Sequence, residues 1–374
     1  MKLATYHDGS RDGQLVVVSR DLSQAHYANG IATRLQQALD DWNFVSPQLQ
    51  DLYVTLNQGR ARHAFSFEPK KCMAPLPRAY QWAEASAYLS LVERLHQAQG
   101  TALPDTLQTD PLLAQRGSDD FLGPQAPAWF GAEAWGIDFA ATLAVITGDV
   151  AMGANAAQGL DGVRLLMLAN SWSLRTLEPA ELTKGQGLLQ SRPAAAFSPV
   201  ALTPDELGEA WQRGRAHLAV QIQCNGKKLG LCEAGPEMAF DFGQLVAHLA
   251  KTRHVRAGSI VGSGPLSNAD AASGHACIAE KRAVEILQQG QPRTPYLVSG
   301  DSVRIDAKGR DGLSLFGAIE QRVTGPNDVV AEAGALGDAL AAERDAGQAD
   351  GGANANANAN ANADTDAESG ADGH

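Results

Sequence analysis

The stretch from Asp138 to Asp149, Asp-Phe-Ala-Ala-Thr-Leu-Ala-Val-Ile-Thr-Gly-Asp, constrains this chain more than any other. β-Branched and apolar residues crowd it and Thr147-Gly148-Asp149 closes it, which is the pattern of a core strand. Val163 to Leu174 is a second strongly apolar segment and runs through Asn170-Ser-Trp-Ser173. Residues 218 to 233 alternate around Asn225-Gly226, the strongest short hairpin signal. Asp301 to Asp306 and Leu313 to Ile319 read as further strands. Helical periodicity covers Ile31 to Asn57, a helix or helical turn over Gln81 to His96, and Phe240 to Thr252 with Leu245, Val246 and Leu249 inward. A mixed α/β, strand-rich fold is expected.

Leu15 to Ser19 is strand-like and prolines punctuate Pro69 to Pro77, so residues 1–75 are expected to form a small N-terminal domain and 76–324 the main one. Leu112 to Pro127, rich in Gly, Asp and Pro, reads as a loop whose Ser118-Asp119-Asp120 serves turn chemistry. From 325 to 374 an acidic, Ala/Asn-rich disordered tail is expected. The Ala-Asn repeat from Ala353 to Asn362 cannot bury enough apolar surface to fold, while Val329 to Arg344 has the composition of a short helix. The tail also explains the charge. The chain carries −12, but Pro326 to His374 holds ten Asp and Glu against one Arg, which leaves −3 for the rest.

A body so close to neutral offers no basic groove for nucleic acid. No apolar run has signal-peptide or membrane-spanning length, so a cytoplasmic location without membrane partners is expected. Cys72, Cys224, Cys232 and Cys277 are scattered without a CxxC pair, and three of them sit in apolar or strand-like runs where a small buried side chain is expected. The nine histidines show no pair at metal-ligand spacing on one helix. Gly258-Ser-Ile-Val-Gly-Ser-Gly264 lacks the lysine and helix of a phosphate loop and reads as strand and tight turn. No Gly-x-Ser-x-Gly nucleophile elbow is present.

Four motifs together, Asp138 to Asp149, Ser118-Asp-Asp-Phe-Leu-Gly-Pro124, Phe197-Ser-Pro-Val200 and Cys277-Ile-Ala-Glu-Lys-Arg282, resemble the bacterial branch of the fumarylacetoacetate hydrolase family. The resemblance runs from about Lys2 to Val323. It implies a fumarylacetoacetate hydrolase-like β-roll core, a homodimer, and metal-assisted hydrolysis of a carbon–carbon bond in a β-diketo acid. That reaction needs a cation to hold the keto-acid oxygens and the developing enolate, and a base to activate water. Gly136, Phe139, Gly148, Asp149, Asn170, Phe197, Pro199, Glu280, Lys281 and Arg282 match the family pattern.

The chemistry does not match. The resemblance places metal ligands at Glu84, Ala140, Thr142 and Ser171 and the water-activating histidine at Leu91. Glu84 keeps a charge where the family carries an aspartate. The two core-strand positions, normally glutamates on one face, hold a methyl group and one neutral hydroxyl, which cannot supply the charge a hard cation favours. Ser171 replaces an aspartate, Arg192 a lysine, Ala195 and Pro265 threonines, and leucine takes no proton. No metal cofactor is therefore expected, and magnesium or calcium would bind only if other residues rebuilt the site.

Glu84, Tyr88 and Arg192 remain as candidate pocket or catalytic residues, with Glu84 expected to pair with Arg192 because a carboxylate without its cation needs a partner. The first functional expectation is a non-catalytic homologue that binds a small keto acid or a partner protein. The alternatives are a metal-independent enzyme acting on a keto-acid-like substrate through Glu84 and Tyr88, and an ordinary magnesium-dependent hydrolase.

Overall fold

The Asp138–Asp149 stretch forms the strand Ala141–Thr147, buried at every position, in the middle of a large sheet. The computed structural model describes residues 1–328, of which Met1–Thr324 pack as one unit. The tail expected over 325–374 therefore lies, from 329 onward, outside the described residues, as do the helix read over Val329 to Arg344 and the Ala-Asn repeat.

Among the described residues the large sheet has eleven strands. From one edge its order is Phe65–Ser66, Gln24–Tyr27, Gln14–Val18, Lys2–Tyr6, Ala201–Leu202, Val163–Asn170, Ala141–Thr147, Ile260–Pro265, Trp82–Ala85 and Leu113–Arg116, with Ala196–Phe197 pairing beside Val163–Asn170. Strands of the leading 75 residues thus continue the sheet that carries the core strand, since Lys2 and Leu3 pair with Leu202 and Ala201. A second sheet of five strands orders Lys227–Glu233, Ala219–Cys224, Ser302–Ala307, Ile319–Thr324 and Ala128–Trp129. The Asn225-Gly226 hairpin joins its first two strands, and both turn residues adopt positive φ, 51° and 71°, as this turn requires.

Two expectations are corrected. Glu84 does not sit in a helix: Trp82–Ala85 is a strand, and the helix begins at Leu89 and ends at Gln99. The apolar spacing of Gln81 to His96 looked continuous, but Trp82–Ala85 is paired on both sides, parallel to Ile260–Pro265 and antiparallel to Leu113–Arg116. For the same reason Leu113–Arg116 is a strand where a loop was expected. The glycine-rich stretch is also accounted for by packing. A β-carbon at Gly262 would lie 2.4 Å from the Trp82 ring, and one at Gly264, where φ is +80°, 1.9 Å from the Ala85 carbonyl oxygen.

All four cysteines are free, and Cys72, Cys232 and Cys277 are buried. Among the described residues no helix is long and apolar enough to cross a membrane.

Candidate functional site

Glu84 is the anchor of the site. Its strand lies between the Ile260–Pro265 and Leu113–Arg116 strands, where Glu84 pairs with Gly262 and Ala114. Because residues two apart on a strand share a face, Arg116 stands diagonally across from Glu84 on the same side. Its Nη1 donates to Glu84 Oε2 at 2.7 Å and its Nη2 to the Trp172 carbonyl at 2.5 Å. The Arg116 side chain is 2% exposed and that of Glu84 10%, so this ion pair is held away from water. Arg116 Nε is buried without a hydrogen-bond partner.

The other carboxylate oxygen is also engaged. Ser171 Oγ donates a short hydrogen bond to Glu84 Oε1, and Thr142 Oγ1 donates to the same atom at 3.4 Å. Three of the positions singled out from the sequence, Glu84, Thr142 and Ser171, are thus brought together. The fourth, Ala140, lies in a small apolar cluster with Leu91, Cys277 and Ala279, against which Leu95 packs. Backbone bonds fix that arrangement, with Ala141 N on the Ala276 carbonyl at 3.0 Å and Ser171 N on the Ala140 carbonyl at 2.9 Å.

The expected Glu84–Arg192 pair is not formed. Arg192 instead donates to Ser173 Oγ and reaches Glu178 at 3.1 Å. Burial, reinforced by the neighbouring Arg175 guanidinium, lowers its pKa to about 10. The Tyr88 hydroxyl donates to the Ala234 carbonyl at 2.7 Å and not to Glu84, and burial pushes its pKa well above the ordinary value.

Two residues of this site were missed in the sequence. Arg116 was hidden in a stretch read as a loop, and only the strand register discloses that it faces Glu84. Gln321, on the last strand, accepts from Asn170 Nδ2 and Trp172 Nε1, both at 3.0 Å, and donates to the Ala126 carbonyl at 2.9 Å. It ties the site to the second sheet, and no local signal marked it.

Residues 81–324 match the family described as fumarylacetoacetate (FAA) hydrolase C-terminal, and residues 1–78 match fumarylacetoacetase N-terminal domain 2. The chain belongs to the fumarylacetoacetate hydrolase family. Solved structures show the same fold. A fumarylacetoacetate hydrolase from Exiguobacterium antarcticum shares 15% identity, covering 87% of this chain and 99% of that one, with a TM-score of 0.60. A maleylpyruvate hydrolase from Sphingobium sp. SYK-6, in complex with manganese(II) and pyruvate, shares 14% over 87% and 99%, with a TM-score of 0.57. A 2-hydroxyhepta-2,4-diene-1,7-dioate isomerase from Mycobacterium marinum shares 15% over the same proportions, with a TM-score of 0.53. No curated relative matches the chain.

The residues of this fumarylacetoacetate hydrolase-family member do not fit a divalent cation at the family's ligand positions. Such an ion favours several oxygens, carboxylates among them. Here one carboxylate has both oxygens occupied, two hydroxyls are turned toward it as donors, and the fourth position is a methyl group. A guanidinium 2.7 Å from that carboxylate would further repel the ion. Among the described residues no three His, Cys, Asp or Glu side chains converge elsewhere to hold a metal. The largest of the cavities described, of about 750 Å³, opens among Lys2, Arg20, Glu206, Lys308 and Arg310. None of the Glu84 site residues lines it.

Proposed function

We propose that this protein is a non-catalytic member of its family, one that binds rather than hydrolyses. The observation that carries the reading is the apolar cluster of Leu91 and Ala140. The resemblance puts a water-activating base at Leu91 and a charged ligand at Ala140, and in this chain the two pack into one dry patch. Leu91 is 5% exposed and Ala140 2%, so neither water nor a charged substrate group has a polar partner there. Glu84 accepts from an arginine on one oxygen and from two hydroxyls on the other, so about three of the roughly four acceptor positions of its carboxylate are already filled. Such catalysis usually draws most of its rate from electrostatic help for the developing enolate. Of the two arginines near that centre, Arg192 is bound to Ser173 and Glu178, and Arg116 is committed to Glu84 and the Trp172 carbonyl.

The ligand class to test first is small keto acids, by analogy with the pyruvate complex of the maleylpyruvate hydrolase. A homodimer is part of the same proposal, and light scattering is expected to return about twice the 39.3 kDa chain mass. The deciding assay follows an acylpyruvate with added magnesium or manganese, and again with chelator. No turnover above buffer is expected in either condition. Metal-dependent turnover abolished by chelator would instead make the protein an ordinary hydrolase of its family.

A further inference from the structure

We infer that Arg116 is a resident cation, its guanidinium standing in the place that the family resemblance assigns to the divalent metal. The inference rests on the metal-free reading above and adds a residue which that reading does not contain. Glu84, Thr142 and Ser171 come from three different chain segments and converge on one carboxylate. Arg116 Nη1 is the cationic group in direct contact with it. Arg116 is not a surface arginine that happens to reach inward. It projects from the edge strand of the large sheet, is 2% exposed, and is pinned at its second terminal nitrogen by the carbonyl of Trp172, the residue after Ser171.

The planar fork of a guanidinium suits this task. It offers one donor to the carboxylate and another to a carbonyl at fixed geometry, which the point charge of a lysine would not. Electrostatically the exchange is simple. A cation that could dissociate is replaced by one attached to the chain, so the carboxylate stays compensated without metal. Two cations cannot share the position without strong repulsion. The loss of the other ligands and the presence of Arg116 are then two halves of one change.

The test compares Mn²⁺ binding, read from the electron paramagnetic resonance signal of free Mn²⁺, in three full-length proteins: wild type, Thr142→Glu, and Thr142→Glu with Arg116→Ala. Thr142→Glu supplies a second carboxylate beside Glu84. If Arg116 holds the metal's place, wild type binds no Mn²⁺, and the double variant binds at least about tenfold more tightly than Thr142→Glu alone, the effect of removing one like charge from a partly screened site. Equal binding by the two variants, with wild type silent, would overturn the inference and leave the metal-free reading standing. Binding by wild type would overturn both. Should the alanine substitution prevent folding, Arg116→Gln, which removes the charge and keeps a donor toward the Trp172 carbonyl, takes its place in the same comparison.

Discussion

Asp138 and Glu84 are both buried carboxylates facing an arginine, yet they serve different parts of the molecule. Asp138 is fully buried and gathers three donors: Arg175 Nε at 2.9 Å and the backbone amides of Ile278 and Ala279 at 2.8 and 3.1 Å. Those amides open the Ile278–Gln289 helix, so Asp138 satisfies donors that a helix start leaves free and favours its positive end. Glu84 gathers Arg116, Ser171 and Thr142, and holds no secondary-structure element by its ends. The first constellation is architecture and matches the family pattern. The second lies where the resemblance places the family's reactive centre, and on the function proposed above its remaining polar groups bind one another. On that reading a frame is kept by its capping and packing residues while the site inside it is neutralised.

The largest effect expected from breaking this contrast is at the frame. Asp138→Ala leaves Arg175 Nε and two helix amides without their acceptor, Arg175 keeping Glu178 at 3.0 Å as its counter-ion, and is expected to cost about 4 kcal/mol, since three lost hydrogen bonds to a buried carboxylate add. Chemical denaturation reads this directly. Arg116→Ala is next, at about 3 kcal/mol, because it leaves Glu84 buried without its countercharge. A double-mutant cycle with Glu84→Gln sharpens the point: the two losses are expected to be strongly non-additive, whereas simple addition would mean that the residues do not act as a pair. Leu91→His, placed among Ala140, Cys277 and Ala279, is expected to cost about 2 kcal/mol by burying an unpartnered imidazole and to restore no turnover, as checked by denaturation and an acylpyruvate assay. Arg192→Ala, whose side chain is 20% exposed and paired to Glu178, is expected to cost only about 1 kcal/mol.

The smallest effect is a pH dependence outside the site. Glu181 accepts from Ser191 Oγ and from the amides of Leu189, Gln190 and Ser191, and the Ser191 hydroxyl bond leads in lowering its pKa from 4.5 to about 2. A carboxylate depressed on folding contributes stability that is fully present above its unfolded pKa and lost as pH falls through the folded one. The protection of the amides of residues 183–191, taken relative to the intrinsic exchange rate at each pH, is therefore expected to fall between pH 4.5 and about 2, and Glu181→Gln is expected to remove that dependence.

Much of the fold was legible because period and turn chemistry are local. The Asp138–Asp149 strand, the Asn225-Gly226 hairpin and the helix around Leu245 each carry their signal within a dozen residues. Trp82–Ala85 was misread because four buried residues followed by an amphipathic helix mimic one longer helix, and strand pairing is a non-local property. The site positions followed from the resemblance, and the structure gathers Glu84, Thr142 and Ser171 around one carboxylate. The partner of Glu84 was not legible. Arg116 lies 32 residues away in sequence, next to a glycine and two aspartates that look like a turn, and Arg192 offered the same charge. Choosing between two arginines requires a register, which a sequence does not print.

Uptake of a divalent metal by the wild-type protein separates a neutralised centre from a working one. Isothermal titration with magnesium, manganese and calcium, repeated with oxalate present to complete a weak site, measures this directly. The prediction is no heat beyond dilution for any of the three, with or without oxalate, from a protein whose unfolding transition is intact. Binding at micromolar strength would contradict it, and would mean that Glu84 releases Arg116 to a metal in solution.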